Sequence, residues 1–148
     1  MTAVWRDKLI EDDDDVASLV RAARRIAVLG IKTEAQAGQP AFYVAEYLHA
    51  VGLEILPVPV YYPQARRILG RDVWRRVQDV PGPVDIVVVF RRSRDIPPHV
   101  PDLIAKRPRA VWFQSGIRHE DAAEALAREG MFVVQDRCLM IDHRRFAN

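Results

Sequence analysis

The sequence predicts a doubly wound α/β fold, a single parallel sheet with helices on both faces. Three observations carry that prediction. Apolar runs of strand length recur at residues 26–29, 54–60, 84–90, 110–114 and 131–135, with helix-patterned segments between most of them. The runs IAVL and VDIVVVF are continuous rather than alternating, as expected of strands buried on both faces. The chain of 148 residues suits one domain that buries roughly two-thirds of its unfolded surface.

Taken in order, Asp12 to Asp15 precede Val16, Leu19, Val20 and Ala23, which recur at helical spacing. The aspartates cap a leading helix and oppose the positive end of its dipole. A metal site is disfavoured there because four consecutive aspartates point in different directions. Residues 1–24 thus form an N-terminal helical extension, and 25–148 the Rossmann-like domain, within one structural unit. Ile26 to Leu29 form the first core strand, and Gly30 turns the chain. After a polar loop, Pro40 opens a helix whose Ala41, Val44, Ala45, Leu48 and Val51 share one face, with Gly52 as its stop.

In the second run, EILPVPV, Pro57 and Pro59 mark the strand's end, because proline cannot serve the interior of a ladder. Tyr61 to Gly70 reads as a loop or short helix, and Asp72 to Trp74 as a brief edge strand. Val84 to Phe90 must be central. Pro97 and Pro98 open a helix ended by Pro108. Ala110 to Gln114, a helix from His119 to Glu129, and Met131 to Gln135 complete the pattern. Trp112 and Phe113 face opposite ways in their strand and read as core.

Composition excludes several classes. Hydrophobic residues make up 49% and charged residues 28%, which describes a soluble globular chain with no membrane-spanning run. The N-terminus lacks a signal core, so a cytoplasmic location is expected. One cysteine, Cys138, excludes an intrachain disulfide and a multi-cysteine metal site. A net charge of +2 is too small to argue for nucleic acid, and the arginines near residue 91 lack the aromatic interleaving of a single-strand binder.

In a doubly wound sheet, ligands bind outside the carboxyl ends of the strands. The residues placed there are Gly30, Ile31, Lys32 and Thr33, then Val58, Pro59 and Tyr61, then Phe90, Arg91, Arg92 and Ser93, then Gln114, Ser115 and Gly116, and last Asp136, Arg137 and Cys138. This basic, hydrogen-bonding set with aromatic surface suits a phosphorylated adenosine ligand. A side chain at Gly30 is expected to block that ligand while leaving the fold intact. The Gly-x-Gly-x-x-Gly fingerprint of a dinucleotide site is absent, as is an acid between Glu54 and Asp72 to hold a ribose.

Four stretches add a resemblance: IAVLG at 26–30, VDIVVVFRRS at 84–93, VWFQSGI at 111–117 and VVQDRC at 133–138. On these the chain resembles the stand-alone CoA-binding proteins. Their Rossmann-type domain is similar to the CoA-binding part of the succinyl-CoA synthetase alpha subunit and of ADP-forming acyl-CoA synthetases. The resemblance implies binding of coenzyme A or a short acyl-CoA, with the glycine turn at the pyrophosphate. It departs at Ile31 and Lys32, where the family carries a small residue and a serine, at Pro59, which stands for an asparagine, and at Met140, which stands for a lysine. Thr33 and Lys32 are the replacements for the lost hydroxyl and for charge.

Catalysis by the chain alone is not expected. The related synthetases need an ATP-handling domain for which 148 residues leave no room. The four histidines, His49, His99, His119 and His143, read as surface or capping residues. Cys138 reads as a structural thiol, with activation by Arg137 as the alternative. The expected function is non-catalytic binding of CoA. An NAD(P)-dependent oxidoreductase, or a regulatory module that has lost its ligand, is the competing reading. A homo-oligomer or a partner subunit stays open.

Overall fold

The computed structural model describes residues 4–147; the expected extension's residues 1–3 and the domain's residue 148 lie outside the described residues. Six parallel strands form the main sheet: β1 (Leu9–Ile10), β2 (Arg25–Leu29), β3 (Glu54–Val58), β6 (Ile86–Val89), β7 (Ala110–Phe113) and β8 (Phe132–Val134). Their spatial order is β1-β8-β7-β6-β2-β3. Strands β2, β6 and β7 are buried on both faces, which is why their sequences run apolar without alternation.

Among the described residues, five α-helices cover the sheet: α1 (Asp13–Ala22), α2 (Pro40–Ala50), α3 (Val100–Lys106), α4 (Glu120–Arg128) and α5 (Leu139–Phe146). One core joins α1, α2 and α5 to Ile26, Val28, Val88 and Trp112. The other joins α3 and α4 to Ala27, Val87, Val89 and Phe113. Trp112 and Phe113 are both fully buried on opposite faces, as their adjacent strand positions require.

The aspartate run behaves as a cap. Asp12 accepts the Asp15 N–H at 2.9 Å, while Asp13 pairs with Arg137 at 2.9 Å and Arg145 at 3.0 Å. Arg137 also binds buried Asp142 at 2.7 Å, so its guanidinium ties α1 to α5.

Several local expectations need correction. The N-terminal segment contributes strand β1, paired to β8, as well as helix α1. Pro57 lies inside β3, opposite Val28, and does not end it. The position is tolerated because β3 is the sheet's edge, where a missing N–H need not break a ladder; Trp74 N–H reaches the Pro57 carbonyl at 3.0 Å. Strand β3 itself stops at Val58. In the segment expected as a loop or short helix, residues 61–66 are loop, but an antiparallel hairpin follows, β4 (Arg67–Ile68) and β5 (Arg71–Asp72). Leu69 and Gly70 form its two-residue loop, with φ +53° and +72°, the signs a type I′ turn needs. The tail beyond Cys138 is helix α5.

Candidate functional site

The chain leaves β2 through α2 to β3 on one side, then crosses to β6 on the other. The order therefore reverses between β2 and β6, whose carboxyl ends open a crevice. Gly30 sits at its base. Its φ is +88°, its N–H donates to Val58 at 2.8 Å, and a Cβ there would lie 2.4 Å from the Phe90 carbonyl oxygen. Only glycine lets the two strand ends pass this closely. The expectation that a side chain at Gly30 would spare the fold is therefore corrected: the clash is with backbone.

Above Gly30 lies a cleft of about 460 Å³, walled by Lys32 and Gln39 to Ala41, by Phe90 to Ser93, and by Gly116 and Ile117. Gln39 precedes α2 with extended backbone and no side-chain cap, and Pro40 opens the helix. The positive end of the α2 dipole thus faces the cleft without a capping acceptor. Lys32 donates to the Gln39 side-chain carbonyl, and its backbone N–H to Ala41 at 3.0 Å. A groove of about 340 Å³ continues between the first turns of α2 and α5, lined by Tyr43, Val44, Cys138 and Ile141 and sharing Pro40, Phe90 and Ile117 with the cleft.

The cations of the cleft differ in their partners. Arg92 pairs with Asp95 at 2.9 Å and holds that carboxyl below its usual range. Lys32 and Arg91 make no ion pair among the described residues. The Arg91 Nε–H donates to His99 Nε2 at 3.2 Å, and an Nη–H donates to the Tyr61 hydroxyl at 3.3 Å. Tyr61 in turn has its phenol pKa lowered by the Arg91 hydrogen bond and charge.

Of the sequence-predicted residues, Lys32, Phe90, Arg91, Arg92 and Gly116 meet in the cleft, and Gln114 and Ser115 line the adjoining groove. Ile31 and Val58 are buried in the core, and Pro59 is buried beside them. Buried Gln114 accepts the Leu139 N–H at 3.3 Å, at the start of α5. Thr33 caps the turn Glu34–Gln36: its hydroxyl accepts from Ala35 and donates to Gln36 at 2.7 Å. Those side chains hold the frame around the cleft. The sequence does not single out Gln39 or Ile117, which line the cleft, nor Tyr43 and Ile141, which line the groove because α2 and α5 lie side by side.

Two histidines depart from the surface and capping roles. His99 is half-buried beside Arg91, and His143 on α5 bonds the Tyr47 hydroxyl at 2.9 Å. His119 does cap α4, accepting the Ala122 N–H at 3.0 Å, and His49 is exposed. Arg137 is held by two carboxylates, Asp13 and Asp142.

These features define a Rossmann-like α/β domain with a cationic cleft at its switch point. The chain belongs to the CoA binding domain family, whose model matches residues 24–144. It is similar to a solved protein of Thermus thermophilus, with a TM-score of 0.83 and 38% identity over 92% of this chain and 99% of that one. A Bacillus subtilis protein called YneT is 28% identical over 129 residues, 87% of this chain and 92% of YneT. The fold also resembles an acetyl-coenzyme A synthetase from Korarchaeum cryptofilum, at a TM-score of 0.64 and 18% identity, covering 80% of this chain and 27% of that one. Among the described residues no helix is long and apolar enough to cross a membrane.

Proposed function

We propose that this protein binds coenzyme A, or a short acyl-CoA, at the carboxyl edge of its sheet and performs no chemistry of its own. One observation carries the reading: Lys32 and Arg91 face one cleft with no carboxylate partner among the described residues, beside the uncapped N-terminus of α2. Cations left unneutralised next to a positive helix end suit a pyrophosphate. Gly30 admits the close strand crossing beneath it, and the groove between α2 and α5 offers an apolar path for the pantetheine arm. The residues present therefore fit the ligand's charged and apolar parts. NAD is the poorer fit, because β3 ends at Val58 and Pro59 follows, with no acid there to hold a ribose.

Calorimetric titration of the purified protein with CoA, NAD and NADP tests this. CoA is expected to bind most tightly, and NAD binding as tight as CoA refutes the proposal.

A further inference from the structure

We infer that His99 and Tyr61 are positioning residues that hold the Arg91 guanidinium over the cleft, and that uptake of a proton by His99 releases it and weakens anion binding. The inference rests on the reading of the cleft as a phosphate site. Three separate segments converge here: Tyr61 follows β3, Arg91 follows β6, and His99 stands just before α3. The Arg91 Nε–H donates to His99 Nε2 at 3.2 Å. The Tyr61 hydroxyl accepts from an Nη–H at 3.3 Å, with the guanidinium carbon 5.4 Å from the ring centroid. Of the five N–H donors of a guanidinium, these bonds engage two and leave the rest for a ligand.

Both acceptors are neutral, so they fix the arginine's direction without cancelling its charge. A carboxylate in either place would do the first and undo the second. The His99 bond exists only while Nε2 carries no proton, since the imidazolium is a donor at both nitrogens.

The charged groups facing His99 are Arg91, Asp95 and Asp102. Asp102 is held by Arg76 at 2.7 and 3.2 Å, and Asp95 by Arg92 at 2.9 Å. Each carboxylate therefore already has a guanidinium partner. Protonation would place an imidazolium at hydrogen-bond distance from Arg91 and remove the acceptor that aims it. Burial, then the Arg91 charge, push the His99 pKa below its ordinary value, so the transition falls on the acid side of the usual imidazole range.

CoA affinity is measured by calorimetry from pH 5 to 8 for wild type, His99→Gln, His99→Ala and Tyr61→Phe. Each is compared as a ratio to His99→Gln, so that titration of the ligand's own phosphate cancels. Glutamine keeps an acceptor and cannot take up the proton. At neutral pH it is expected to match wild type, with His99→Ala weaker on the order of tenfold and Tyr61→Phe weaker by a few-fold. On acidification the wild type should lose affinity relative to His99→Gln. A wild-type profile parallel to that of His99→Gln, or rising above it at low pH, overturns the inference, as does a glutamine variant no better than alanine.

The Arg91–His99 bond has a readout that needs no ligand. The His99 ring resonances, titrated by NMR, should give a higher pKa in Arg91→Ala than in wild type, and an unchanged pKa overturns the bond. If CoA binds no variant while that shift is present, the CoA reading fails and the positioning of Arg91 stands.

Discussion

Replacing Gly30 with alanine tests the crossing of β2 and β6 beneath the cleft. The new Cβ would stand 2.4 Å from the Phe90 carbonyl oxygen, about 1 Å short of ordinary contact. That oxygen is backbone, and the Phe90 N–H is bonded to Leu29 at 2.8 Å, so the strand end cannot retreat without loosening its ladder. A left-handed conformation costs a residue with a Cβ about 1–2 kcal/mol. Overpacking adds about 1–3 kcal/mol, for a total of about 2–5 kcal/mol. At about 2–4 °C per kcal/mol for a chain of this size, the melting midpoint should fall by about 4–20 °C. The shift moves Phe90 and Arg91 with it, so CoA affinity should drop at least about tenfold. Circular dichroism melts, with calorimetry below the variant's midpoint, measure both effects. A midpoint within about 2 °C of wild type together with unchanged affinity refutes the reasoning.

Lys32→Ala should weaken CoA by on the order of ten- to a hundredfold, the worth of a charge-assisted hydrogen bond. Titration with dephospho-CoA locates the contact: a smaller loss for that ligand puts Lys32 at the 3′-phosphate, and an equal loss puts it at the pyrophosphate. Alkylation of Cys138, followed by intact-protein mass spectrometry, should slow when CoA is present; an unchanged rate removes the pantetheine arm from the groove between α2 and α5. Arg137→Ala strands the buried Asp142 carboxylate and should cost about 3 kcal/mol, the low end for a broken buried pair because Arg137 is partly exposed. A denaturant midpoint equal to wild type would contradict the role of Arg137 as the tie between α1 and α5.

The central strands were legible because burial on both faces leaves a continuous apolar signature, as in IVVV of β6. Helix α2 was legible from its apolar spacing between Pro40 and Gly52. Strand β1 was not: two residues carry no periodicity, and Leu9 and Ile10 become a strand only by pairing with β8. The hairpin was hidden because leucine, not asparagine or glycine, stands first in its turn. Helix α5, LMIDHRRF, reads as a charged tail until Arg137 and the Leu139 contact with Gln114 anchor its start.

For the site, the topology rule points to the carboxyl edge of the sheet, where the cleft lies. It could not say which neighbours turn inward, so Ile31, Val58 and Gln114 were grouped with Lys32 and Arg91. The contacts of Tyr61 and His99 with Arg91 join residues on three different segments, and no spacing in the chain encodes them.

The two flanks of the sheet have a bearing on how the protein behaves when concentrated. At one flank β1 is only two residues long. At the other, Pro57 removes a donor from β3 and Trp74 takes its carbonyl. Neither margin offers the long row of unpaired amides and carbonyls on which an amyloid-type stack grows. Fibril growth from the native state would first have to strip the segment around Trp74 from β3, so it should track the opening of that segment rather than the native population.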